Sequence, residues 1–312
     1  MPLLTSSDIK LAKQLEGAIK PVFNRYLYDY SLTVQYPKIA MEIPSSGSQE
    51  SYSWFEAVPK MKEFIDERYV QGLTSQAYTL PNKKWEATIG VSRDVIEDDQ
   101  LGQIRPRIQL LAEEAIRHRD QMIFELMANG DSETLGKCYD DKPFFSTNHP
   151  TANGEVSNKG NSELSATALQ ATITAMMKFV DSRGTPLGIV PDTLVVPPDL
   201  QWKAKELLQS VYYPEADNLL DDTRNKRANN VLQGSLDLIV SPYLTNAKNW
   251  YVLCAKMAYK PFILQVRTPI EFTSLEANSE TGFMRDEFVY GVRSRYNAGY
   301  ALWQLGYANI VA

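Results

Sequence analysis

Cysteine and histidine are scarce in this chain of 312 residues, with two of each, and their placement excludes most of the chemistry they serve. Cys138 and Cys254 have no second Cys or His at ligand spacing, so neither a disulfide framework nor a metal site is expected of them. Long apolar runs are missing too: no stretch approaches the ~20 apolar residues that a bilayer span needs. The opening segment carries Asp8, Lys10, Lys13 and Glu16 and has no apolar centre, so it does not read as a signal peptide. A chain kept in solution is expected. Positive charge is not in excess. A formal net charge of −6 argues against a basic, sequence-reading nucleic-acid face, and leaves room only for a thin local contact. There is no G-x-S-x-G elbow, no phosphate-binding P-loop and no dinucleotide-binding G-x-G-x-x-G.

The candidates for chemistry that remain are weak. His118 lies within a helical pattern beside Arg117 and Arg119, where a solvated or subunit-facing side chain is the plain reading. His149 sits in the turn Thr147-Asn148-His149-Pro150, and a general base there would need a nucleophile or an orienting carboxylate that sequence does not show. Acidic pairs occur at Asp98-Asp99, Asp140-Asp141 and Asp221-Asp222. A metal-dependent hydrolase could use such pairs, Asp98 and Asp99 or Asp221 and Asp222, to hold Mg²⁺. Adjacent acids in loops more often form solvated turns or helix starts. The densest basic run, Arg224-Asn225-Lys226-Arg227, is flanked by acids and reads as a mixed-charge loop facing solvent or a neighbour. No catalytic, cofactor-binding or metal residue is therefore assigned.

What is abundant is aromatic surface: 17 Tyr and 5 Trp, enough to suggest subunit contacts as well as a core. Ser6, Ser7 and Asp8 suit the start of a first helix with an apolar face through Ile9, Leu15, Ile19 and Phe23, which Pro21 should kink or interrupt. From Ser31 to Glu50 the pattern turns extended, punctuated by Pro37 and Pro44, and the segment looks like an arm. Residues 52–78 read as a long two-stranded excursion carrying Tyr52, Trp54, Phe55, Phe64, Tyr69 and Tyr78. An isolated hairpin buries too little to offset its ordering, so this one calls for a neighbour to lie on.

Alternation of Trp85, Ala87, Ile89 and Val91 with polar residues gives a half-buried strand. A strong helix spans about 105–129, with Pro106 in its first turn and Gly130 where a C-terminal cap is wanted; such a helix is roughly 36 Å long. A second helix runs from Ser165 towards Gly184, and another from Gln201 to Gln209. Short strands recur at Thr193–Val196, Leu236–Val240, Trp250–Cys254 and Phe262–Val266, with a last strand pair Glu287–Arg295 and Tyr300–Tyr307. The fold class is α+β.

Several stretches, taken in order, stop looking generic. They are Ile43-Pro44-Ser45, Tyr52-Ser53-Trp54, residues 82–85, the acidic turn 93–100, Tyr139-Asp140 and residues 144–150. Further on come residues 186–191, Leu194-Val195-Val196-Pro197-Pro198, residues 239–244, Trp250-Tyr251-Val252-Leu253, and Tyr290-Gly291-Val292 with Arg295. From about Ile39 onward this resembles the Mu-like phage and prophage major head subunit family. Asp141 departs from it, standing where relatives often have glycine after Tyr-Asp.

The resemblance implies a Hong Kong 97-type capsid fold: an N-terminal arm at 1–50, an extended loop at 51–81, and a peripheral domain at 82–188 with a spine helix at 105–129. An axial domain at 189–265 and a return to the peripheral domain at 266–312 complete it. It implies a major capsid protein, not an enzyme, that forms homo-hexamers and homo-pentamers of an icosahedral shell around double-stranded DNA. Scaffold, portal and possible decoration proteins would be partners, with no membrane and no cofactor. No large scaffolding segment precedes the arm, so scaffold is expected as a separate chain. The place would be the virion, assembled in the host cytoplasm. Contacts between subunits are expected at Tyr52, Trp54, Phe55, Lys60, Phe64, Tyr69, Tyr78, Arg224 and Arg227. Covalent Lys–Asn linkage through Lys60 or Lys62 is not expected. An encapsulin-like nanocompartment shell is the runner-up.

Overall fold

The computed structural model describes residues 6–55, 75–92, 104–151, 154–181, 184–212, 229–275, 284 and 287–311. A four-stranded sheet has the order β1-β11-β12-β4, built from Ala40–Pro44, Phe262–Leu275, Glu287–Tyr300 and Lys83–Ser92. β1 runs parallel to β11, while β11–β12 and β12–β4 are antiparallel. Its apolar face, with Val91, Phe288, Tyr290 and Val292, packs on α1 (Ser6–Ser31) and α3 (Ile104–Ala128) through Ile19, Phe23, Ile108 and Leu111. Along β4 exposed residues alternate with half-buried ones, as in a strand with one wet side.

The second sheet has five strands in the order β7-β13-β10-β8-β9: Lys159–Gly160, Gly306–Asn309, Trp250–Leu253, Thr193–Val196 and Asp237–Val240. β8 and β10 are buried at every residue, which is why they read as continuous apolar runs. Helices α4 (Ala166–Met177) and α5 (Gln201–Gln209) accompany this sheet. Ser165 caps α4, its Oγ accepting from the Ala168 N–H at 3.2 Å. One core joins the two sheets, with Phe144 stacked on Tyr300 at 4.9 Å and edge-on to Phe145 at 4.9 Å.

Several expectations need correction. Of the kink or interruption expected at Pro21, the interruption does not occur: α1 is continuous from Ser6 to Ser31. An interior proline costs about 3 kcal/mol, and the burial of Ile19 and Phe23 on either side opposes that cost. The segment after α1 is not simply extended. A four-residue helix, α2 (Tyr36–Ile39), has Pro37 in its first turn, and β1 follows as part of the sheet, so this stretch of the expected arm belongs to the body. The final strand pair does not form. β12 pairs with β11 and β4, whereas β13 joins β10 in the other sheet, so the last residues do not all return to the first. Helix α4 stops at Met177, and Val180 instead bridges to Pro186.

Gly130 ends the long helix for a different reason from the one expected. Its φ is not positive, but a Cβ there would meet Phe145 Cδ2 at 2.7 Å, so the glycine permits close approach of a core ring. The left-handed position falls at Asp141, with φ 60°.

Candidate assembly interface

The expected excursion starts as a two-stranded antiparallel ribbon. β2 (Gln49–Phe55) pairs with β3 (Ser75–Pro81) in seven rungs from Gln49–Pro81 to Phe55–Ser75, with Tyr52 opposite Tyr78. The paired part is roughly 20 Å long. Ser51, Ser53, Ala77 and Thr79 are exposed on one face, while Tyr52, Tyr78 and Leu80 turn to the body. Trp54 and Phe55 lie on β2, but their side chains are outside the described residues, as are Lys60, Phe64, Tyr69, Arg224 and Arg227 and the acidic pairs Asp98-Asp99 and Asp221-Asp222.

Tyr52 and Tyr78 are engaged within their own subunit. The Tyr52 hydroxyl donates to Gln265 Oε1 at 2.8 Å, and Tyr78 lies over Gly299, where a Cβ would come within 3.0 Å of its ring. Burial pushes both phenols up to about 12, so they remain donors at neutral pH. Sequence reasoning missed what holds them. Gln265, at 0% exposure, donates from Nε2 to Leu80 O at 3.1 Å and to Asn82 Oδ1 at 2.9 Å. Its cross-strand partner Asn297 donates to Pro81 O at 2.7 Å. Asn82 Nδ2 in turn reaches Ser45 Oγ (2.8 Å) and Gly47 O (3.0 Å). The signal was present: a lone glutamine in the apolar run 262–266 is a buried amide that must find partners.

Glu50 closes the turn beside the ribbon. Its Oε1 accepts from Gly47 N–H at 2.9 Å, Ser45 Oγ at 2.8 Å and Ser46 N–H at 2.7 Å. The Gly47 amide, then the Ser45 hydroxyl, hold its carboxyl below the ordinary 4.5. A carboxylate held down in this way contributes stability above that value and loses it as pH falls through the lowered one.

The long helix carries a second polar node. Asp120 Oδ1 accepts from the Gln35 and Tyr36 N–H groups at 2.9 and 2.7 Å, capping α2 from across the fold. Burial still raises the Asp120 carboxyl, against those two donors. Arg119 lies over the Tyr296 ring at 5.1 Å and faces Glu42 at 3.9 Å. His118 is half-buried and held: Nδ1 is 2.6 Å from the Tyr296 hydroxyl, and the ring is 4.4 Å from Trp85. Burial lowers its pKa, favouring the neutral ring. Beside it opens a cleft of about 180 Å³ lined by Trp85, Ala115, His118, Ile270 and Tyr296.

His149 does have an orienting carboxylate, which sequence did not reveal. Nδ1 lies 2.6 Å from Asp140 Oδ2, Nε2 lies 3.2 Å from Asn158 Oδ1, and the ring stacks on Trp303 at 4.0 Å. The imidazole is at 0% exposure, closed off from any substrate, and ties the 130–160 loop to the last 3-10 turn. Cys138 and Cys254 are both buried and are not joined in a disulfide. Among the described residues no three His, Cys, Asp or Glu side chains gather as a metal site.

Comparison with known proteins gives this geometry its setting. The family described as Mu-like prophage major head subunit gpT matches residues 13–163, 159–244 and 245–311. The Mu-like prophage FluMu major head subunit of Haemophilus influenzae is 27% identical over 277 residues, covering 88% of this chain and 65% of that protein. The major capsid protein of Escherichia phage Mu is 26% identical over 275 residues, covering 88% of this chain and 66% of that protein. The chain thus spans about two thirds of the length of the curated relatives it matches, 65% and 66%. A chain from the procapsid of bacteriophage JBD30 superposes with a TM-score of 0.56 at 27% identity, covering 99% of this chain and 77% of that one. The fold is that of Hong Kong 97-type phage capsid subunits. By the extent of that match, this chain belongs to the Mu-like prophage major head subunit family.

Proposed function

We propose that this chain is the major capsid protein of a tailed phage or prophage, the repeated subunit of an icosahedral head enclosing double-stranded DNA. The observation that carries the reading is the β2–β3 ribbon, anchored at its base and paired outside both main sheets, in a member of the head-subunit family. A ribbon of this kind gains little by itself and gains stability from another copy. With Tyr52 and Tyr78 engaged within their own subunit, the residues left for contact between subunits are Trp54, Phe55, Lys60, Phe64, Tyr69, Arg224 and Arg227.

The mechanism is physical, not catalytic. Many modest contacts repeated by symmetry close a container, in homo-hexamers and homo-pentamers. The partners are further copies, a scaffold, a portal and decoration proteins, with packaged DNA nearby and unread in sequence. The four-stranded sheet with α1 and α3 forms the peripheral part, and the five-stranded sheet the axial part. Assembly takes place in the host cytoplasm and the product is the virion.

Negative-stain electron microscopy of the expressed protein, alone and with a co-expressed scaffold, tests this. Closed icosahedral particles or capsomers are expected. A chain that stays monomeric under every assembly condition contradicts it.

A further inference from the structure

We propose that Gln265 and Asn297 form a positioning pair that fixes the direction in which the β2–β3 ribbon leaves the subunit, and thereby selects the curvature of the shell. The second half of that statement rests on the assembly reading above.

The two residues face each other across the β11–β12 ladder. Together they take consecutive carbonyls at the end of β3: Gln265 Nε2 donates to Leu80 O at 3.1 Å, and Asn297 Nδ2 to Pro81 O at 2.7 Å. Gln265 also reaches the opposite strand, accepting from the Tyr52 hydroxyl at 2.8 Å, and holds the linking residue Asn82 at 2.9 Å. One side chain of the body therefore grips both strands of the ribbon and the residue that follows it. Both of its amide protons and its carbonyl oxygen are used.

An apolar side chain of similar volume would fill the same buried space, and apolar contact has no preferred direction. Hydrogen bonds weaken steeply away from their axis, so three of them on one rigid amide define an angle. The surroundings reinforce this. Gly299, two rungs from Asn297 on the same face of β12, lets Tyr78 and Leu80 lie against the backbone, because a Cβ there would come within 3.0 Å of each. The β11–β12 register shifts between Val266 and Thr268, immediately beyond the pair, an irregularity of the kind that re-aims a strand.

Two measurements on the full chain test the proposal. Nitroxides introduced by Ser53→Cys and Arg117→Cys report the ribbon-to-helix distance by pulsed electron resonance, with Cys138 and Cys254 buried and unlabelled. The unchanged base should give one narrow distance. With Gln265→Leu, which removes three hydrogen bonds at once, the population outside that peak should rise at least tenfold, since one typical bond is worth about fivefold. Particles of wild-type diameter should be lost in micrographs, while circular dichroism and the core melting transition persist. A Gln265→Leu chain with wild-type distance width and wild-type particles overturns the proposal.

Should Gln265→Leu fail to fold, Tyr52→Phe removes one bond and keeps the ring. It should give a smaller broadening in the same direction, and no broadening is equally fatal. Absence of particles from the unchanged chain would sink the assembly reading and with it the curvature claim. The distance measurement would still decide whether the pair sets direction.

Discussion

In the five-stranded sheet, β8 and β10 bury every side chain, and the order of the strands is held by apolar packing. At the base of the ribbon the arrangement is reversed: Gln265, Asn297, Asn82, Ser45 and Glu50 converge, and hydrogen bonds define the geometry. The contrast follows from what each part has to do. A core must exclude water and tolerates small shifts of packing without losing its topology. An attachment point for a long ribbon must specify an angle, and directional bonds do that where dispersion does not.

The largest effect that would sharpen the contrast lies in the dry sheet. Trp250, fully buried, donates from Nε1 to Ser162 O at 2.9 Å. Trp250→Ala should destabilise the subunit by about 3–5 kcal/mol in denaturant titration. A loss of under roughly 1 kcal/mol would show that the sheet is not the structural core claimed.

Asp120→Ala comes next, leaving two amide donors of α2 without their cap, and should cost about 1–3 kcal/mol. The matching Asp120→Asn chain keeps an acceptor and should recover most of that loss. Ser165→Ala removes a helix cap from a part held otherwise by packing, and should cost about 1 kcal/mol by the same titration.

The smallest effect belongs to the polar base. Glu50→Gln should leave the melting temperature near neutral pH almost unchanged and flatten its decline on acidification below 4.5, the ordinary value from which the carboxyl is held down. The sign follows from linkage: a lowered carboxyl stabilises above its unfolded value and loses that contribution as pH falls. An unchanged acid limb would mean that the Glu50 turn is not coupled to folding.

These differences also explain what could be read from sequence. Apolar runs such as 193–196 and 250–253 announced β8 and β10, and the helical spacing of Ile108, Leu111, Ile116, Ile123 and Met127 announced the long helix. Tertiary contacts decided the rest. The turn at Tyr36–Ile39 is helical because an aspartate 84 residues away caps it, a fact no local pattern contains. β12 and β13 are adjacent in sequence yet join different sheets, because pairing is settled by register with distant strands.

The ribbon was legible in part. Aromatic crowding between Tyr52 and Tyr78 pointed to the ribbon, but not to the division of labour in which those two tyrosines face inward. The amide pair behind them was invisible as a pair, since Gln265 and Asn297 meet only through the β11–β12 register. His149 likewise gained its carboxylate partner from a turn whose shape depends on a left-handed residue, Asp141.

The most direct test of the account is a cryo-electron microscopy reconstruction of the expressed protein at side-chain resolution. The account predicts closed shells in which the ribbon of each subunit, fixed at Gln265 and Asn297, lies across a neighbouring copy. A ribbon that folds back on its own subunit in every copy, or a preparation containing only monomers, would contradict it.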